Sequence, residues 1–89
     1  MKHWIRGHHY EITTEDIELA TALNHPERIR IHWVFVLGAP WPVKQLIGLV
    51  TGRPRHTFNT DDALRILDAL GYDLHWRGEA GLQGSPRTR

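Results

Sequence analysis

The sequence contains no cysteine, which excludes a disulfide framework, thiolate catalysis and Cys-based zinc sites. Its single serine, Ser85, lies close to the C-terminal end, so a buried Ser-His-Asp triad is not expected. No glycine-rich phosphate cradle of the Walker or Rossmann type is present. No apolar run approaches the roughly 18 residues of a membrane span, and no signal-peptide pattern opens the chain. These absences predict a cytoplasmic protein with no membrane partner. What remains is 89 residues with an ordinary apolar content of 40%, room for one domain at most. A chain of this size buries only about 60–65% of its unfolded surface, so modest stability is expected.

Net charge is only +1, but the charges are segregated. From Glu11 to Glu27 there are acids and no Lys or Arg. From Arg28 to Thr60 there are Arg28, Arg30, Lys44, Arg53 and Arg55, and no Asp or Glu. Acids return from Asp61 to Asp73, where Arg65 is the only base. A basic centre between acidic flanks makes a local anion-binding surface despite the near-neutral sum, unless the segments pair with each other.

Met1 to Tyr10 reads as a short strand or a loosely held arm. His3, His8 and His9 invite a metal, but no helical i,i+4 histidine pair or carboxylate completes a site, so no metal is expected. Ile12 to Asn24 is predicted to be a helix. Thr13 is its N-cap, Asp16 the capping-box partner, Ile12 and Ile17 the hydrophobic staple, and Ile17, Leu19, Ala20 and Leu23 its apolar side. Arg28 to Leu37 alternates with period two, as a strand half buried at first and more buried later. Gly38-Ala39-Pro40 turns the chain, and Trp41 begins a short edge strand limited by its prolines.

Pro42 to Thr51 is the second helix, with Val43, Leu46, Ile47 and Val50 on one face. Gly52 closes it. Gly48 inside it costs roughly 1 kcal/mol of propensity, which suggests close packing or close approach of a ligand there. Arg53 to Thr57 is a basic loop, and Phe58 anchors it to the core. Asn59 caps a third helix with Asp62 at N3, and Gly71 ends it. Tyr72, Leu74 and Trp76 alternate as a last strand. The fold class is therefore α+β, an antiparallel sheet packed on helices. Residues 1–77 form one compact domain, and 78–89 have the composition of a flexible tail.

The expected site is a DNA-binding corner. Lys44 and Gln45 occupy the first turn of the second helix, where free N–H groups and the helix dipole favour phosphate. Arg53, Arg55 and His56 project from the interhelical loop, Thr57 and Asn59 add neutral donors, and Arg30 and His32 extend the surface. His56 with Asp61 or Asp62 is the one conceivable acid–base pair, and capping explains those aspartates more cheaply. Catalysis and cofactors are therefore not expected.

The run Val34-Phe35-Val36-Leu37-Gly38, Trp41-Pro42-Val43-Lys44, Leu46-Ile47-Gly48, Thr51-Gly52, Phe58 and Leu64 to Leu70-Gly71-Tyr72 resembles a known pattern. It is that of the N-terminal head domain of McrA-type, modification-dependent HNH restriction endonucleases and of related small standalone modules. The resemblance spans Phe35 to Tyr72 and implies a bacterial DNA-associated module in defence or regulation, with Lys44 the matched polar position. Asn59-Thr60 replaces the family's glycine pair, and no HNH motif is present, so cleavage is not implied. Ala69-Leu70-Gly71 also resembles the end of helix-turn-helix antitoxins and Cro-like repressors, although the interhelical loop is longer than their usual turn. The expectation is a non-catalytic domain for duplex DNA, plain or modified. The alternatives are a helix-turn-helix repressor and a protein-interaction module or homodimer built on the four tryptophans.

Overall fold

A computed structural model describes residues 2–78. The elements in order are β1 (Lys2–Ile5), β2 (His8–Glu11), α1 (Thr14–Ala22), β3 (His32–Val36), β4 (Ala39–Pro42), α2 (Val43–Thr51), a 3-10 turn (Arg55–Thr57), α3 (Thr60–Ala69) and β5 (His75–Trp76). The α+β class holds. β4, β3 and β5 form an antiparallel sheet in that order, and β1 and β2 form a separate two-stranded sheet. The tail expected over 78–89 falls, beyond Gly78, outside the described residues. Among the described residues, no helix is long and apolar enough to cross a membrane.

The helices start where local chemistry dictates. Thr13 and Asp16 make a reciprocal capping box on α1, and Asn59 and Asp62 make another on α3, each satisfying otherwise orphaned backbone donors. Gly52 adopts a left-handed conformation (φ 73°) and ends α2. α2 is the hub of the fold. It packs against α1, α3, β3 and β4 and buries Val43, Leu46 and Ile47 among Ile17, Val34, Phe58 and Ile66.

Several expectations are corrected. The N-terminal segment is neither a single strand nor an arm but a complete hairpin. Its two-residue turn, Arg6-Gly7, has φ 51° and 84°, the primed geometry that matches strand twist. Leu37-Gly38 repeats it at 51° and 87°. α1 is shorter than expected, and Leu19 and Leu23 are exposed, because Ile17 and Ala20 alone face the core. The strand expected from Arg28 begins only at His32, since β5 is two residues long and pairs only with His32 and Trp33. Its inner side is Val34 and Val36, whereas Phe35 points outward. A Cβ on Gly48 would meet Arg53 O at 3.6 Å and Phe58 Cζ at 3.9 Å, ordinary contacts, so packing does not demand the glycine.

Leu37 is an exposed leucine held in left-handed backbone, which costs roughly 1 kcal/mol relative to residues that tolerate it. Leu37→Asn is expected to raise stability by about that amount, or the melting temperature by roughly 4–8 °C, in thermal denaturation followed by circular dichroism. His3 is buried and its Nε2 has no hydrogen-bond partner. Burial, with Arg65 adding repulsion, holds its pKa below the ordinary 6.5. The folded state thus resists a proton that the unfolded chain accepts, and this contribution, full above pH 6.5, is lost as pH falls from there through the lowered folded value. The urea midpoint is expected to drop between pH 7.5 and 5.5, and His3→Phe is expected to flatten that dependence.

Candidate nucleic-acid interface

The basic residues between Arg28 and Thr60 do three different jobs. Arg53 is turned inward. Its guanidinium donates to Thr57 Oγ1 and Thr57 O at 3.1 Å each, to Tyr10 Oη at 3.1 Å and to Ile5 O at 3.5 Å. It ties the N-terminal hairpin to the loop after α2. Thr57 Oγ1, which accepts from Arg53, also donates to Pro54 O at 2.6 Å. The Asn59 side chain is the α3 cap. Arg53, Thr57 and Asn59, expected to face DNA, are thus engaged by the protein itself, and His56 is exposed on a separate part of the loop.

Arg55 makes a two-pronged ion pair with Glu27. This charge-assisted contact lowers the Glu27 pKa and raises that of Arg55. Both side chains are about half exposed (50% and 48%), so the pair contributes at most about 1 kcal/mol. The loop is therefore not the outward cationic corner that the sequence suggested.

The cations that do gather line a different surface. An open groove of about 1030 Å³ runs between residues 27–32 and the first turn of α2, with Arg55, Thr60 and Arg77 completing its walls. Arg28, Arg30, His32 and Lys44 line it. Glu27 is the one carboxylate among its described lining residues, and Arg55 occupies it. Arg28 and Arg30 are exposed, and their side chains have no carboxylate partner among the described residues. Lys44 is half buried, with Nζ 5.2 Å from the centroid of the Phe58 ring, a weak cation–π contact that leaves the ammonium at the groove. The sequence thus picked out Lys44, Arg30, His32 and Arg55 as neighbours of one surface. It missed Arg28 and Arg77, although Arg28 opened the acid-free run.

The wall bearing Arg28 and Arg30 is irregular chain, and its backbone must find partners elsewhere. Gln45, expected to contact phosphate, supplies two of them instead. It is buried (4% exposed), its Oε1 accepts from Glu27 N at 2.8 Å, and its Nε2 donates to His25 O at 2.8 Å. Arg77 supplies three more, donating from Nε to Arg30 O (2.6 Å), from Nη2 to Ile29 O (2.9 Å) and from its backbone N–H to Ile31 O (2.6 Å). Both residues spend their donors on backbone, and Arg28 and Arg30 are thereby held outward.

The remaining candidates gain no site. Among the described residues no group of three His, Asp or Glu side chains is placed to hold a metal ion. His3 lies on the buried side of the N-terminal hairpin, whereas His8 and His9 lie exposed on β2.

Replacing Gln45 with leucine keeps volume but strands the Glu27 N–H and the His25 carbonyl. The expected cost is about 2 kcal/mol, read as a lowered urea midpoint with unchanged slope. Comparison of the chain with protein-family models, with curated proteins and with solved structures finds no match, so what the groove does rests on its own chemistry.

Proposed function

We propose that this chain is a small non-catalytic DNA-binding domain that holds the phosphate backbone in the groove between residues 27–32 and the start of α2. The observation that carries the reading is the lining of that groove. Arg28, Arg30 and Lys44 converge on it, and the one carboxylate among its described lining residues is already paired with Arg55. Cations with no carboxylate partner among the described residues, on a wall stiffened by Gln45 and Arg77, suit a polyanion better than any neutral ligand. α2 adds to this: its N-cap is Pro42, without a side-chain acceptor, so the positive end of its dipole faces the groove uncompensated. The resemblance of Phe35 to Tyr72 to head domains of McrA-type endonucleases points in the same direction, towards defence or regulation in a bacterial cytoplasm.

A helix-turn-helix reading is less well supported. It requires α3 to enter a DNA groove, yet the N-terminal turn of α3 carries Asp61 and Asp62. Its one base, Arg65, donates to Trp4 O at 2.8 Å.

Binding to a labelled duplex is expected to weaken steeply with salt. The triple variant Arg28→Ala/Arg30→Ala/Lys44→Ala is expected to reduce the slope of log K against log[salt] by about three, one per phosphate contact. Glu27→Gln, which removes the groove's carboxylate and releases Arg55, is expected to tighten binding and steepen the slope. Fluorescence anisotropy over a salt series measures both. A triple variant that binds like wild type would sink the assignment.

A further inference from the structure

The outer side of the β4-β3-β5 sheet carries aromatic rings that the core does not use. Trp33 stacks on His75 across the β3–β5 pairing, with ring centroids 6.0 Å apart and planes 12° apart. Phe35 meets His75 edge-on at 5.2 Å. Phe35 remains 48% exposed, and Ile31 and Leu37, of the same parity, are 55% and 75% exposed. The three strands contain no Asp, Glu, Lys or Arg. The face is also continuous with the groove. Ile31 lines the groove, and so does Pro42, the register partner of Trp33.

We propose that this face is a stacking site for an unpaired base of the nucleic-acid strand whose phosphates lie in the adjoining groove. The proposal rests on the reading of the groove as a phosphate-binding surface and adds the kind of strand it takes. Every base has a π-face, and aromatic side chains beside a cationic track are how single strands are held without sequence preference. A paired base offers no free face, so the site selects a single strand, a duplex end or an extruded base. The chemistry of the face favours this occupant over a second copy of the chain. Phe35, Ile31 and Leu37, its most exposed members, together expose roughly 300 Å² of apolar surface, below the ~450 Å² that is the apolar share of the ~800 Å² each partner buries in a stable protein interface. Cations gathered at the same edge suit phosphate, and two copies meeting there would bring like charges together.

The test is anisotropy of the full chain with three labelled probes: a short oligothymidylate, an abasic strand of the same length, and a blunt duplex. Oligothymidylate is expected to bind about tenfold tighter than the abasic strand, with quenching of tryptophan fluorescence. Phe35→Ala is expected to lose about tenfold on oligothymidylate and nothing on the abasic strand. Phe35→Leu keeps the apolar bulk and is expected to behave like Phe35→Ala, because a leucine has no π-face. Equal affinity for the base-bearing and abasic strands would overturn the stacking site while leaving the groove reading intact. So would a concentration-dependent dimer, seen by sedimentation, that Phe35→Ala abolishes without changing oligonucleotide affinity. If none of the three probes binds, the groove reading fails, and the stacking site fails with it.

Discussion

The buried amide of Gln45 is the contact on which the candidate site depends. One side chain on the central helix satisfies a carbonyl and an N–H two residues apart on a neighbouring segment. That segment, from His25 to Ile31, has no strand to pair with, so without such a partner its polar backbone would have to face water and wander. Arg77 completes the hold from the opposite end. The consequence is an irregular stretch of chain held in place by side chains from two distant positions. Its own arginines are then free to point away from the protein. Order in the wall and freedom of its cations thus have one origin.

The fates of the arginines show why counting charge is a poor guide to where charge acts. Arg53 and Arg55 are two residues apart in sequence. Arg53 nevertheless fans onto two carbonyls and two hydroxyls inside the fold, while Arg55 reaches 28 residues back to Glu27. A guanidinium offers five donors in a planar fork, and a small domain with few partners for its loop carbonyls uses such a fork as structural material. Arg65 and Arg77 are spent in the same way, on Trp4 O and on Ile29 and Arg30 O.

What was legible in the sequence was what is local. Capping boxes span three residues, glycine closures one or two, and the apolar stripe of α2 nine, so the helices could be read with their ends nearly in place. The turn at Arg6-Gly7 could not, because arginine carries no signal for positive φ and only the pairing of His3 with Tyr10 and Trp4 with His9 imposes it. The phase of β3 was hidden for a related reason. Both sides of the strand are apolar, and only its tertiary neighbours decide that the valines rather than the aromatics face inward. For the candidate groove, the acid-free run from Arg28 to Thr60 holds Arg28, Arg30, Lys44 and Arg55 of its lining. It could not say that Gln45 would turn to the backbone or that Glu27, just outside the run, would claim Arg55. Those are contacts between residues 18 to 28 apart, and nothing in the composition encodes them.

The near-neutral total charge is reconciled with a cationic groove by where the acids are used. Asp16 closes the first turn of α1, and Asp62 closes that of α3. In both places a carboxylate meets helix N–H groups and the positive dipole end, so its field is largely absorbed within one helix turn. Asp62 also takes Arg6 and Arg65 as neighbours, away from the groove. The start of α2 receives neither an acid nor a polar cap, and the next residue after Val43 is Lys44. Two helix starts are therefore electrically closed and the third is left open, beside a wall whose Arg28 and Arg30 have no carboxylate partner among the described residues. A domain with a sum close to zero thus gathers cations along one groove by this division, not by excess of basic residues. On the proposed reading, an anion held in that groove lies at the edge where the exposed rings of the sheet begin.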